Sequence, residues 1–334
     1  MAPAHTRMVR YLDLDGAKLS VVGLGCWQFG EPGWGYGQEF GPRDSLAIIR
    51  RALELGVTVL DTAELYGSGA SESLVGAALQ EWDEPVFLAS KFLPLMPVPG
   101  LMVGHCRHSL ERLQRPALDL YQIHFPNPVV PLRLQMEGLR QVLHGGLSQH
   151  VGVSNFSLSR WRRAERLLGS PIISNQVRYN LLHRRPERDL IPYADRSSHL
   201  IIAYSPLAQG ALSGRYRKGM VPAGLRRRSW LFTEEGLTAA EPVVEALREV
   251  AAGKGVAPAQ VALAYLLAQP RVLAIPGAKS IAQLEANVAA TEIVLASDEM
   301  LALRRGADLF QMSRRRAATQ LLGGLVRGGG ATDA

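Results

Sequence analysis

The chain is short of cysteine: Cys26 and Cys106 are the only two in 334 residues. Two thiols make neither a disulfide framework nor a cysteine-based metal set. Long apolar runs are also missing, and none approaches the roughly 20 residues that cross a bilayer. The opening "MAPAHTRMVRYLDLDG" has no apolar centre of the kind an export signal carries, so a cytoplasmic protein is expected. Lysine is scarce, occurring only at Lys18, Lys91, Lys218, Lys254 and Lys279, so the net charge of +7 rests mainly on arginine. The arginine clusters at 226–228 and 314–316 are not interleaved with aromatics, and no nucleic-acid-reading module surrounds them. Neither nucleic acid nor a membrane is an expected partner. A positive surface that draws an anionic small molecule fits better.

What is present is a hydrophobic content of 47%, enough for one large core. Short apolar runs at 21–25, 57–61, 86–91, 118–124, 150–155, 172–176, 200–205 and 272–276 alternate with segments of helical period. Runs apolar on nearly every residue imply strands covered on both faces, and hence a parallel sheet. Eight such units predict an α/β fold of the closed (β/α)8, or TIM-barrel, type. A hairpin turning at Asp15-Gly16 precedes it. The rival, an open doubly wound sheet, would carry G-x-G-x-x-G directly after its first strand; "GLGCWQFGEPGWGYGQEFG" lacks that spacing. Helices are expected near 43–55, 70–80, 101–114, 131–145, 157–168, 186–196, 241–254, 258–268 and 280–290. Residues 206–240, after strand seven, read as a long connection that is either functional or mobile. Residues 1–312 are expected to form a single domain, followed by a basic, glycine-rich tail that is partly disordered.

A barrel of this kind carries its chemistry at the carboxyl ends of its strands. There the sequence places Asp61, Lys91 and His124, with Tyr66 in the loop just past Asp61, inside "LDTAELYG". A tyrosine with its ordinary pKa near 10 is a poor acid until a neighbouring cation favours its phenolate. Lys91 would be that cation, Asp61 would hold it, and His124 would hydrogen-bond a substrate oxygen. That set suits protonation of a carbonyl oxygen, or the reverse. Each residue has a plainer alternative: a capping aspartate, a loop aromatic, a surface lysine, a structural histidine. Their convergence on successive strand ends favours the chemical reading. Reduction also needs hydride, which points to a nicotinamide cofactor. Ser154, Asn155, Asn175 and Gln176 offer groups for a carboxamide, and Tyr204 a face for stacking. Gly277, Lys279 and Ser280 open a helix whose start suits phosphate.

With these residues assembled, the sequence resembles the aldo-keto reductase superfamily, over about residues 8–312. "LDTAELYG", "ASKF", "LDLYQIHFP", "GVSNF", "SNQVRYNLL", "AYSPLAQGAL" and "IPGAKS" occur in family order and spacing. The resemblance implies carbonyl reduction with NADPH and a catalytic tetrad of Asp61, Tyr66, Lys91 and His124, with Tyr66 as general acid. It implies nicotinamide contacts from Gly25, Cys26, Ser154, Asn155, Gln176 and Tyr204. Phosphate contacts would come from Ser205, Pro206, Leu207 and Gly210, and from Gly277, Lys279 and Ser280. Gln283 and Asn287 would lie near the adenine end. Three positions depart from the common pattern. Phe125 replaces a frequent tryptophan, Gln283 a frequent arginine, and Ala286 a frequent carboxylate, so the preference for NADPH over NADH rests on Lys279. The expected substrate wall includes Trp27, Trp34 and Phe125, with Phe29 and Tyr36 either joining it or plugging the barrel mouth. Cys26 would be either oxidation-sensitive or a plain buried thiol. The alternative function is a cofactor-sensing protein, like the potassium-channel β subunits that resemble the same superfamily. The carbonyl substrate and the oligomeric state are not legible in the sequence.

Overall fold

The structure is a computed structural model that describes residues 9–220, 222–313, 315–317 and 320. A hairpin of β1 (Tyr11–Leu14) and β2 (Ala17–Ser20) turns at Asp15 and Gly16, both left-handed, with φ of 49° and 86°. That is the geometry a two-residue hairpin loop prefers. Leu14 and Leu19 pack with Val59, Phe87, Leu200 and Leu273 in a second apolar cluster. The hairpin therefore closes the amino-terminal end of the barrel.

Eight parallel strands follow in chain order: β3 (Leu24–Gly25), β4 (Val59–Asp61), β5 (Phe87–Phe92), β6 (Leu118–Ile123), β7 (Ser148–Ser154), β8 (Ser174–Arg178), β9 (Leu200–Tyr204) and β10 (Val272–Ala274). The ring closes where Gly23 N–H donates to Ala274 O at 2.8 Å and Ala274 N–H donates to Val21 O at 2.9 Å. The fold is the expected (β/α)8 barrel. Around it lie α1 (Pro42–Glu54), α2 (Ala70–Leu79), α3 (Pro99–Leu113), α4 (Leu132–His144), α5 (Leu158–Leu168) and α6 (Leu190–Arg196). The shell continues with α7 (Glu234–Lys254), α8 (Pro258–Leu267), α9 (Ile281–Ala289) and α10 (Ser297–Asp308). The main apolar core fills the space between strands and helices. Among the described residues, no single helix is long and apolar enough to cross a membrane.

Register decides what meets inside. Gly25 pairs with Asp61 and Asp61 with Ala89; Lys91 pairs with Gln122 and Gln122 with Gly152; Ser154 pairs with Gln176. Registered neighbours in a parallel sheet point to the same face, so Lys91 and Gln122 share the barrel interior. Gly152 leaves the room this needs: a Cβ there would lie 2.3 Å from Ser174 Oγ and 3.0 Å from Gln122 Cγ.

Two helices differ from expectation. The start of α7 falls at Glu234 rather than 241, so the long connection after β9 is shorter than 206–240. Pro242 invites a start at 241 because proline suits a helix's first turn. The true cap is Thr233, whose Oγ1 accepts from Gly236 N–H at 3.1 Å, and Pro242 sits inside the helix. The second, α10, was not anticipated. It packs on α7 where Gly306 meets the Pro242 carbonyl, 3.0 Å from where a Cβ would stand. The carboxyl tail expected from 313 lies mostly outside the described residues.

Candidate active site

The strand β4 delivers Asp61 to the rim and β5 delivers Lys91 beside it, both essentially sealed from solvent. A buried ammonium is costly unless every proton finds an acceptor. Lys91 Nζ donates to Asp61 Oδ1 at 2.6 Å, Thr62 O at 2.7 Å and Tyr66 OH at 3.2 Å, which uses all three. Burial alone would lower the lysine's pKa, but Asp61 and then Tyr66 outweigh it, so the value is raised and Lys91 is charged. The other carboxylate oxygen, Asp61 Oδ2, accepts from Gln176 Nε2 at 2.7 Å and from Gln122 Nε2 at 3.4 Å. The buried pair is therefore braced on both sides.

Tyr66 opens a 3-10 turn (Tyr66–Gly69), its ring partly exposed and its hydroxyl turned in to Lys91. The Lys91 ammonium also lies 4.8 Å from the ring centroid. One expectation is corrected here. Tyr66 is not acidified: burial pushes the phenol above its ordinary value, against the lowering by Lys91, and Asp61 adds to the rise. The carboxylate 2.6 Å from Lys91 offsets part of the cation's field, and the water-poor setting does the rest.

His124, 7% exposed, follows β6 and meets Tyr66 edge-on with ring centroids 5.6 Å apart. Burial, aided by the Lys91 charge, pushes its pKa down from 6.5 to about 3. The ring is therefore neutral at physiological pH. The linkage has a definite sign. Between about pH 6.5 and pH 3 the unfolded chain binds a proton that the folded chain refuses, so stability falls as pH falls through that window. Going from pH 7 to pH 5 is expected to cost the wild type about 2 kcal/mol that His124→Asn does not lose. Urea unfolding of both proteins at the two pH values checks this, and equal losses would refute it.

The aromatic residues sort by contact. Trp27 stands 6.2 Å from Tyr66 and 5.0 Å from Trp34, ring to ring, and is 39% exposed. Phe125 stacks on His124 at 4.3 Å with its outer face open. Phe29 is fully buried in the core and Tyr36 packs on Phe40, so these two belong to the barrel mouth's packing and not to the wall around Tyr66.

At the ends of β7 to β9, Ser154 Oγ donates to Gln176 O, Asn155 Nδ2 donates to Ser154 Oγ, and Tyr204 OH donates to Asn155 Oδ1, at 2.8, 3.0 and 3.0 Å. Asn155 is left-handed with φ 60°, as are Ser205 and, further along, Gln209 and Gly210. Pro206 and Leu207 run between them. Gln176, expected to contact a carboxamide, gives one of its amide N–H groups to Asp61. Asn175 bonds the Phe156 carbonyl and serves the backbone. Gly25 is required for ring closure, since a Cβ would stand 2.6 Å from Ile275 O. The nicotinamide contact implied for Cys26 is corrected as well. Cys26 exposes no surface, its thiol is raised well above the ordinary value by burial, and it is the plain buried alternative.

After β10, Gly277 is exposed and Ser280 caps α9, its Oγ accepting from Gln283 N–H at 3.3 Å. Gln283 folds back so that its Oε1 accepts from Lys279 N–H at 3.0 Å, and Asn287 is buried. Lys279 Nζ is paired with Glu39, 2.8 Å away, from the loop after β3. Sequence reasoning missed Gln122 and Glu39. For Gln122 a signal existed: it falls in the same period-two row as Leu118, Leu120 and His124, as a polar residue inside the apolar run that leads to the histidine. For Glu39, far away in sequence, there was none.

The model of the aldo/keto reductase family matches residues 21–306. The molecule is an α/β-barrel oxidoreductase. An uncharacterised oxidoreductase of Mycobacterium tuberculosis is 46% identical over 304 residues, covering 91% of this chain and 94% of its own. Methylglyoxal reductase YeaE of Escherichia coli is 32% identical over 286 residues, covering 85% and 90%. Among solved structures, an aldo/keto reductase from Klebsiella pneumoniae in complex with NADP and acetate aligns with a TM-score of 0.71 at 31% identity, covering 92% of this chain and 97% of that one. The chain belongs to the aldo/keto reductase family, whose members are NAD(P)H-dependent oxidoreductases.

Proposed function

We propose that the protein reduces an aldehyde or ketone to an alcohol with NADPH, Tyr66 delivering the proton. The observation that carries this reading is the Lys91 ammonium held between Asp61 and the Tyr66 hydroxyl, at 2.6 and 3.2 Å. A phenol kept protonated at neutral pH has a proton to give to an oxygen that gains charge as its carbon is reduced. The phenolate left behind faces an ammonium already fixed in place, so no reorganisation is needed at that moment. Asp61, braced by Gln176 and Gln122, is the positioning residue for Lys91. A neutral His124 gives the same oxygen a hydrogen bond without adding a competing charge. Trp27 and Phe125 wall the approach.

Reduced nicotinamide, when bound, supplies hydride to the carbonyl carbon. Tyr204, fixed by its bond to Asn155, offers a flat face at the end of β9, and Ser154 and Asn155 lie beside it. The loop after β9 contains Gln209 Oε1, a buried acceptor with no donor, which a sugar hydroxyl would satisfy. Lys279 and the capped start of α9 suit a phosphate. The solved relative bound to NADP and the relative named methylglyoxal reductase favour the same cofactor and substrate class.

The test is a panel of methylglyoxal, simple aldehydes, aldoses and pyridoxal, with loss of NADPH fluorescence as readout. Turnover of at least one is expected. Tight NADPH binding with no turnover across the panel would replace the enzyme with a cofactor sensor.

A further inference from the structure

The Lys279 ammonium, the charge best placed for a cofactor phosphate, already has an anion on it. Glu39 Oε2 lies 2.8 Å away, and the lysine is only 20% exposed while Glu39 is 59% exposed. The contact is built rather than incidental. Glu39 N–H donates to Gly35 O at 2.7 Å, and Gly37 N–H to Phe40 O at 2.8 Å, which ties residues 35–40 into a tight turn. Gly35 is left-handed at φ 89°, a conformation that favours glycine, and it lets the Glu39 carboxyl lie close over the turn. Phe40 from the same turn lies under the Lys279 ammonium at 5.9 Å. The Lys279 hydrogen bond holds the Glu39 carboxyl below its ordinary value, and the charges of Arg226 and Arg215 act in the same direction. The carboxylate thus occupies a basin of positive charge that suits an anion.

The neighbouring side chains are partly committed elsewhere. Arg226 donates through Nε to Gln209 O at 2.7 Å and its guanidinium lies 4.8 Å from the Trp34 ring centroid. Gln283 carries no charge and is folded onto the Lys279 backbone.

We infer that Glu39 is a specificity-determining residue that competes with the 2′-phosphate of NADPH for Lys279 and so narrows the gap between NADPH and NADH. The inference rests on the proposed placement of the cofactor phosphate at Lys279. A dinucleotide with a 2′-phosphate must displace the carboxylate from the ammonium. One with a 2′-hydroxyl can leave the pair intact and donate to a Glu39 oxygen, as acidic residues do in NAD sites.

The experiment measures NADPH and NADH dissociation constants by fluorescence for the full chain, Glu39→Gln, Lys279→Ala and the double variant. Glu39→Gln, nearly isosteric at an exposed position, is expected to tighten NADPH about fivefold and to leave NADH within about twofold. In the Lys279→Ala background the gain for NADPH should shrink below about twofold, because nothing is left to compete for. Equal tightening of both dinucleotides, no tightening of NADPH, or a full gain without the lysine would each overturn the competition alone. If Lys279→Ala itself weakens neither dinucleotide, or the wild type binds neither, the phosphate placement falls and Glu39's role with it.

Discussion

Tyr66→Phe is expected to lower kcat about a thousandfold while leaving the NADPH dissociation constant within about a factor of two. The substitution removes one oxygen and keeps the ring that packs against Trp27 and His124. Lys91 loses its longest hydrogen bond but keeps Asp61 and Thr62, so the folded state should give up only about 1 kcal/mol. A variant folded, binding cofactor and catalytically dead would isolate the proton donor. Steady-state kinetics with the best substrate of the panel decides it: activity within tenfold of wild type would remove Tyr66 from the chemistry.

Lys91→Met should be costly in a different way. It leaves the Asp61 carboxylate sealed from solvent with amide donors but no cation, and breaking a buried pair from one side typically costs about 3–5 kcal/mol. Removing both charges, with Asp61→Leu added, should restore most of that loss while activity stays absent, since the penalty comes from the stranded charge and not from a missing attraction. Urea denaturation of the single and double variants reads both effects. A single variant within about 1 kcal/mol of wild type would mean that the pair is not the buried, braced unit described above.

The opposition between these two variants reflects how the site is organised. Lys91 and Asp61 form a buried charged platform whose fields act in opposite directions on Tyr66. Burial, with Asp61 offsetting part of the Lys91 field, keeps the phenol protonated in the resting protein, contrary to the expectation that Lys91 acidifies it. A pH profile of kcat/KM should accordingly show no inflection near 6.5 from His124, whose burial keeps it neutral down to about 3.

Much of this was legible in the chain. The apolar runs gave eight strands because a strand covered on both faces has no polar side to show. The strand ends gave Asp61, Lys91 and His124 because polar groups closing such runs must lie at a rim. Period-two alternation could have given Gln122 too. The first turns of α7 escaped the reading because Pro242 lies inside the helix, where the tolerance of a proline depends on what packs there. The contact that the resemblance implied for Cys26 failed because matching a family motif does not say whether a side chain reaches the surface, and here it reaches none.

By itself, the sequence determined the barrel, the rim and which ionisable residues stand there, since those follow from local periodicity and from which residue types end each run. Only the tertiary structure decided their charge states and partners. Whether Tyr66 is acidified depends on its burial and on the charges of Lys91 and Asp61 beside it, and whether Lys279 is free depends on Glu39, 240 positions away. Electrostatic energies are set by separation and burial in space, and neither quantity is written in the order of residues along the chain.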